Sequence, residues 1–160
     1  MPITDSTTNY SGRKVDIHIF QGVDVNKISA VTPSFGKISN FCSGIQKLIQ
    51  RFAIALMTEQ GSQPDYPDFG TKLMSTLNNR NLSLNKADLY PIFNSAAYKV
   101  ISEFRDYQAK NSGIPTDEQL NAAYLSDIIV SNDSVSFKVT IIPVSGDTTE
   151  FLIPLPKDNE

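Results

Sequence analysis

The chain has 160 residues, of which 40% are hydrophobic and 19% are charged, and its formal net charge is −3 at neutral pH. This length and composition are typical of one ordinary domain with a substantial core, and they exclude disordered and membrane-embedded chains as composition classes. The negative charge argues against nucleic acid as a partner, since Arg13 and Lys14 form the one adjacent basic pair.

Three further signals limit the chemistry. The single cysteine, Cys42, precludes an internal disulfide and a multi-cysteine zinc site, which suits a reducing compartment. The longest apolar run, from Phe52 to Met57, is far too short to span a bilayer, and no signal-peptide pattern opens the chain, so we expect no membrane partner. The glycines fit no phosphate-binding fingerprint, and we expect no cofactor and no metal.

The N-terminal part predicts little regular structure. Residues 1–13 are polar and turn-rich, so we expect a flexible arm ahead of a single domain at 14–160. Val15, Ile17 and Ile19 then alternate with polar residues, which predicts a short strand with one buried face. Residues 21–36 are predicted to be irregular.

From Ile38 the apolar period changes to that of a helix, and we predict a long helix that ends near Thr58. The apolar stripe consists of Ile38, Phe41, Cys42, Ile45, Leu48, Ile49, Phe52 and Leu56. The opposite, wettable face is predicted to carry Gln46, Lys47, Gln50 and Arg51. The last turns should be buried almost all round.

The run 61–70 (Gly-Ser-Gln-Pro-Asp-Tyr-Pro-Asp-Phe-Gly) is the most informative stretch. A glycine ends the helix, two prolines stiffen the exit, and an aromatic-glycine pair precedes the next segment. This pattern predicts a rigid corner that presents a surface. Tyr66 and Phe69 are candidate partner-binding residues, although they could equally pack the corner onto the helix.

A second helix is predicted from Leu89 to Gln108, with Asp88 as its N-cap and Pro91 within its first turn. Residues 110–118 are predicted to form a loop. We expect a helical turn or two between Asp117 and Tyr124.

The C-terminal part predicts three neighbouring strands joined by short turns. Their apolar residues are Ile128, Ile129, Val130, Val135, Phe137, Val139, Ile141, Phe151, Ile153 and Leu155. Pro154 and Pro156 lack the amide donor that a central strand needs, so the last strand is expected at a sheet edge. The predicted fold class is α+β: a long helix and a second helix packed on a C-terminal antiparallel β-meander, with a short N-terminal strand.

Candidate catalytic groups are few. Glu59, Asp65 and Asp68 could supply the acid pair of a glycosidase, but solvated loop acids are the better interpretation. His18 lies at the polar phase of a short strand, and Cys42 lies on the apolar stripe, where a small buried hydrophobe is expected. We predict no catalytic residue and no enzyme activity.

The order of motifs resembles the gene 25-like family of phage baseplate wedge proteins. The resemblance depends on an apolar helix ending in Leu-Met-Thr at 56–58, the glycine turn at 61, and Pro-Asp-Phe-Gly-Thr at 67–71. Two departures exist: the family's Gly-Glu-Arg is here Gly-Ser-Gln at 61–63, and its Glu-Pro-Arg is here Leu-Ser-Asp-Ile at 125–128. The lysozyme label that the family sometimes carries finds no support in these residues.

The resemblance implies a structural wedge component of a contractile phage tail that initiates sheath assembly. It would be made in the host cytoplasm and would lie in the virion, in several copies around the baseplate ring. Its implied partners are the tail sheath protein, other wedge subunits and the tail tube. We expect strand addition at the edge of the last strand, so Phe151 and Ile153 join Tyr66 and Phe69 as candidate partner-binding residues. The alternatives are a peptidoglycan-degrading glycosidase and an adaptor of another contractile injection system.

Overall fold

The structure, a computed structural model, describes residues 13–18, 20–21, 29–30, 32–33, 40–78, 85–130 and 134–156. The predicted arm at 1–13 falls almost wholly outside these residues, as does most of the stretch predicted to be irregular. The elements are β1 (Asp16–His18), β2 (Phe20–Gln21), β3 (Ser29–Ala30), β4 (Thr32–Pro33), β5 (Asn40–Cys42), α1 (Gly44–Met57), α2 (Leu73–Leu77), α3 (Lys86–Lys110), β6 (Leu120–Val130), β7 (Ser134–Pro143) and β8 (Thr149–Pro156).

The main sheet has the order β3-β8-β7-β6, and helices α1 and α3 contribute their apolar faces to the core that it lines. Strands β6, β7 and β8 form an antiparallel meander, which confirms the predicted α+β class. Two short pairs, β1 with β5 and β2 with β4, lie outside this sheet. At the centre of the core, the rings of Phe93 on α3 and Phe137 on β7 lie 5.0 Å apart.

Helix α1 begins later than the apolar period predicted. Phe41 and Cys42 belong to β5, and Gly44 is the first helical residue. The helix lacks a side-chain cap of its own from Ser43 and has no acid in its first turn. Instead, the carboxylate of Glu118 accepts a hydrogen bond of 3.0 Å from the amide of Gly44. This carboxylate at the positive end of the helix fixes where the helix starts.

The face of α1 predicted to be wettable is partly buried. Lys47 and Gln50 are only 8% and 5% exposed. The N-terminal segment covers them, because the Lys47 ammonium donates to the Lys14 carbonyl at 2.7 Å and the Gln50 amide donates to the Ile17 carbonyl at 2.9 Å. The burial expected for the last turns is confirmed in part: Phe52, Ala53 and Leu56 are at 0% exposure, whereas Ile54 and Met57 are half-buried.

Strand β1 also faces the other way from the prediction. Ile17 is 58% exposed, and its cross-strand neighbour Phe41 on β5 is 53% exposed. Cys42, opposite Asp16, points inward and is 1% exposed. The inner face of this ribbon is thus the one that meets α1.

Helix α3 begins at Lys86, and Asn85 rather than Asp88 is its N-cap. The Asn85 side chain accepts from the Asp88 amide at 2.9 Å and donates to the Asp88 carboxylate at 2.7 Å. The Asn85 side chain therefore caps the helix, and the predicted cap, Asp88, occupies the third helical position. Pro91 is the sixth helical residue, beyond the first turn that we expected.

The helical turn predicted within 117–124 is wrong, because Leu120 already begins strand β6. Register shifts between Leu120 and Ala122 and between Leu125 and Asp127 interrupt the strand. Each shift changes the phase of the inward-facing residues, which removes the simple alternation that would have predicted a strand.

The inward-facing residues are confirmed for β7, with Val135, Phe137, Val139 and Ile141 at 4% exposure or less, and for β8 at Phe151 and Ile153. The alternation itself is incomplete, since Thr140 is also buried, and the side chain of Leu155 lies outside the described residues. The expected edge position of β8 is wrong in part. Strand β3 pairs with it in parallel, at Phe151 and Leu152. Proline has no amide hydrogen for the ladder to β7, so we infer that the nitrogens of Pro154 and Pro156 face the outer flank of β8. By the period of two, the amide of Leu152 faces the same flank.

Candidate interaction surface

The corner, defined here as residues 59–71, begins where α1 ends. Thr58 caps that end: its amide and its hydroxyl both donate to the Ile54 carbonyl, at 2.9 Å and 2.7 Å. The buried hydroxyl of Thr71 donates to the Leu56 carbonyl at 2.6 Å and accepts from the Leu73 amide at 3.1 Å. A single threonine therefore satisfies a carbonyl at the end of one helix and an amide at the start of the next.

Backbone hydrogen bonds close the corner into a loop whose two ends touch. The amide of Thr71 donates to the Thr58 carbonyl, and the amide of Gln60 donates to the Thr71 carbonyl, both at 2.8 Å. Gly70 lies at this crossing with φ +91°, and a Cβ built on it would lie 2.4 Å from the Thr58 oxygen. Only glycine fits both the dihedral angle and the space. The corner is a compact Ω-loop.

Lys99 of α3 holds the corner from the other side. Its ammonium donates to the carbonyls of Asp68 and Gly70, both at 2.6 Å, and lies 3.5 Å from the Glu103 carboxylate. The corner is thereby fixed to α3 as well as to α1. Its outer surface is left to the solvent.

A groove of about 540 Å³ runs between the corner and the helices, and we call it the corner groove. It is lined by Arg51, Asp65, Tyr66, Pro67, Asp68, Phe69, Glu103, Phe104 and Tyr107. The guanidinium of Arg51 lies over two rings, 5.4 Å from the centroid of Phe104 and 4.8 Å from that of Tyr107. These cation–π contacts give the groove a wall of aromatic faces.

The four predicted partner-binding residues fall into two groups. Both Tyr66 and Phe69 line the corner groove, but Tyr66 is 69% exposed whereas Phe69 is half-buried and packs against the core. Phe69 thus packs the corner onto the core, and the ring of Tyr66 is left open to solvent. Phe151 and Ile153 are 0% and 1% exposed, so their side chains lie in the core, and only their backbone could meet a partner.

Two of the three candidate catalytic acids, Asp65 and Asp68, line the corner groove together, whereas Glu59 is not part of its lining. The Glu59 carboxylate accepts from the Ser75 amide at 3.2 Å and so caps the short helix α2. Asp65 and Asp68 are exposed in the corner groove. Burial raises the pKa of the Cys42 thiol to about 11, and Asp16 adds to this shift. His18 of β1 pairs with Asn40 of β5, but the side chain of His18 falls outside the described residues.

Sequence reasoning missed the residues of the groove that come from the helices. The sequence places Arg51 on the wettable face of the first predicted helix, and Phe104 and Tyr107 lie within the second, where Phe104 is buried and Tyr107 is 46% exposed. It also missed two neighbouring ion pairs. The nearly buried Lys47 and Glu118 are 3.0 Å apart, and Arg13 and Asp117 are 2.8 Å apart. The acids at 117–118 ahead of a strand were the available signal.

None of the helices in the described ranges is long and apolar enough to cross a membrane. Within the same ranges, no group of three or more acidic, histidine or cysteine side chains is placed to hold a metal ion. Comparison with known proteins finds no family model, no curated protein and no solved structure that matches the chain.

Proposed function

We propose that this protein is a structural wedge component of a contractile phage tail baseplate, similar to the gene 25-like family, that initiates sheath assembly by offering a sheet edge to sheath subunits. The observation that carries the proposal is the incomplete outer flank of β8. In the described chain, β3 pairs there with two residues of an eight-residue strand. An added strand would extend or replace that short pairing.

The motif behind the resemblance has a clear physical role. Thr58, Gly70 and Thr71 are the residues that close the corner, through a hydrogen bond of 2.8 Å and a crossing too tight for a Cβ. Because the pattern has such strict conformational requirements, the match in sequence is better explained by a shared local fold than by chance. The corner would then be the part that faces other wedge subunits, while β8 faces the sheath.

The energy of strand addition is modest for one copy. Each backbone hydrogen bond contributes about 0.5–1.5 kcal/mol net, and two prolines remove donors from the outer flank. Copies around a ring multiply these contacts, and multivalency then stabilises the junction. Sheath growth would therefore start on the assembled ring and not on the free protein.

The test is the variant Leu152→Pro, with Leu152→Ala as its matched control. Residue 152 is half-buried, its amide faces the outer flank, and it is one of the two β8 residues that pair with β3. Proline therefore removes a donor from that flank, including the one offered to β3, while the ladder to β7 stays intact. Proline at the buried positions Phe151 or Ile153 would instead damage the core. After circular dichroism has shown that both variants are folded, baseplates assembled with each are examined by electron microscopy. We expect sheath on the alanine baseplates and little or none on the proline baseplates; normal sheath on both refutes strand addition at β8.

The same assay on phage tails and on other contractile injection systems separates the tail component from an adaptor of another machine. The glycosidase alternative needs its own assay, which is the clearance of a peptidoglycan suspension by the protein and by Glu59→Gln. We expect no clearance by either. Clearance that the substitution abolishes would establish the enzyme instead.

A further inference from the structure

We propose that the corner groove binds the guanidinium of an arginine on an extended segment of a partner protein. The proposal rests on the proposed function only in taking that partner to be a neighbouring subunit of the assembly. It names the chemistry that the corner would recognise.

The charges of the groove favour a cation. Asp65, Asp68 and Glu103 supply three carboxylates, against the single guanidinium of Arg51. Among the described residues, neither Asp65 nor Asp68 forms an ion pair, and Glu103 has only the longer contact of 3.5 Å with Lys99. The groove therefore carries uncompensated negative charge at its rim, where solvent exposure makes binding sensitive to salt.

The walls favour a guanidinium over an ammonium. Tyr66 is 69% exposed, so its ring is accessible beside the carboxylates, and Tyr107 is still 46% exposed although the Arg51 guanidinium lies over its ring. A planar guanidinium can stack on an aromatic face while it donates to a carboxylate, whereas an ammonium is compact and strongly hydrated. Arg51 already shows the aromatic half of this mode, since its guanidinium lies over the Tyr107 ring, 4.8 Å from the centroid.

The groove is also built in advance of any partner. The backbone that carries Asp65 and Asp68 is held by tight turns, in which the Tyr66 amide donates to the Gln63 carbonyl and the Phe69 amide donates to the Tyr66 carbonyl, both at 3.1 Å. Lys99 fixes the far end of the turn. Little ordering is therefore required on binding, and a volume of about 540 Å³ lies within the usual range of about 300–1,000 Å³ for ligand pockets.

The test is an NMR titration of the isolated protein with the peptide acetyl-Gly-Arg-Gly-amide. We expect saturable shifts of the amide signals of Tyr66, Phe69, Phe104 and Tyr107. The citrulline peptide, which has the same shape without charge, should bind at least about fivefold more weakly, and the lysine peptide should lie between the two. Equal binding of the citrulline or lysine peptide refutes recognition of a guanidinium, and so does the absence of shifts in the groove. Matching shifts with acetyl-Gly-Glu-Gly-amide would show that Arg51 captures an acid instead, which also overturns the proposal.

Variants locate the contact. The double substitution Asp65→Asn with Asp68→Asn should weaken the arginine peptide about threefold to tenfold, since exposed ion pairs contribute little each. Asp147→Asn, an exposed acid in the turn between β7 and β8, is the matched control and should leave the affinity unchanged. Unchanged affinity in the double variant refutes the assignment. Because the titration needs no baseplate, its failure leaves sheath initiation standing, and normal sheath on Leu152→Pro baseplates leaves the groove assignment standing.

Discussion

Replacing Gly70 with alanine should cost a large part of the stability of the fold. Its φ of +91° is unfavourable for alanine, and the new Cβ would lie 2.4 Å from the backbone oxygen of Thr58, which cannot rotate away as a side chain could. The left-handed backbone costs about 1–2 kcal/mol, and loss of the Thr71–Thr58 hydrogen bond adds about 0.5–1.5 kcal/mol. We therefore expect the free energy of unfolding to fall by about 1.5–3.5 kcal/mol, out of the roughly 5–15 kcal/mol of a typical domain.

Gly61 supplies the matched control within the same corner. Its φ is +87°, and no atom lies within 4 Å of a Cβ built on it. Gly61→Ala should therefore pay the backbone term alone, about 1–2 kcal/mol. Urea unfolding followed by far-ultraviolet circular dichroism measures both variants, and the comparison is valid if the slope with urea stays constant. Equal losses in the two variants would show that the tight crossing at Thr58 does not exist in solution.

Three further outcomes follow from the charged and buried groups. Glu118→Ala leaves the nearly buried Lys47 ammonium without its carboxylate and the start of α1 without its cap, so urea unfolding should show a loss of about 3 kcal/mol; a loss under 1 kcal/mol contradicts the pairing. The hydrogen bond from Lys86 holds the pKa of Asp127 below its ordinary value, so Lys86→Met should raise that pKa in an NMR titration. The stabilisation by this carboxylate is present above its ordinary pKa and is lost as the pH falls through the lowered folded value, and an unshifted titration in the variant refutes the contact. Cys42, 1% exposed and with its pKa raised to about 11, should react with a disulfide reagent at pH 8 only after urea is added; fast reaction of the folded protein contradicts its burial.

Hydrophobic periodicity predicted those elements in which the burial of a residue depends only on the face of its own helix or strand that it occupies. The inward-facing residues of β7 and most of the last turns of α1 were predicted correctly, although Thr140 on the polar phase of β7 is also buried and Ile54 and Met57 are only half-buried. The start of α1 was not, because Phe41 and Cys42 happen to keep helical spacing while they belong to a strand. The burial of Lys47 depends on a segment about 30 residues earlier in the chain, and local pattern carries no signal of such a contact.

Only the side of the corner groove that residues 61–70 form could be predicted from the sequence. The glycines and prolines of 61–70 specify a corner, and they do so through backbone geometry that a sequence can express. The other wall of the groove comes from Arg51 and from α3, which reach it through tertiary packing. The same limit applies to β8, whose neighbour β3 lies more than 100 residues away in the chain.

The glutamine at the end of α3 has a consequence for how isolated copies behave. The Gln108 side chain donates to the Leu120 carbonyl at 3.1 Å and accepts from the Leu120 amide at 2.7 Å, as a flanking polypeptide would. Further along β6, the Asp127 carboxylate accepts from the Ile128 amide at 2.7 Å. Head-to-tail fibres need two complementary open sheet edges on every molecule. Here the backbone groups of Leu120 and Ile128 on the outer edge of β6 are already hydrogen-bonded to side chains of the same molecule. Self-stacking of isolated copies into endless ribbons through this flank is thereby discouraged.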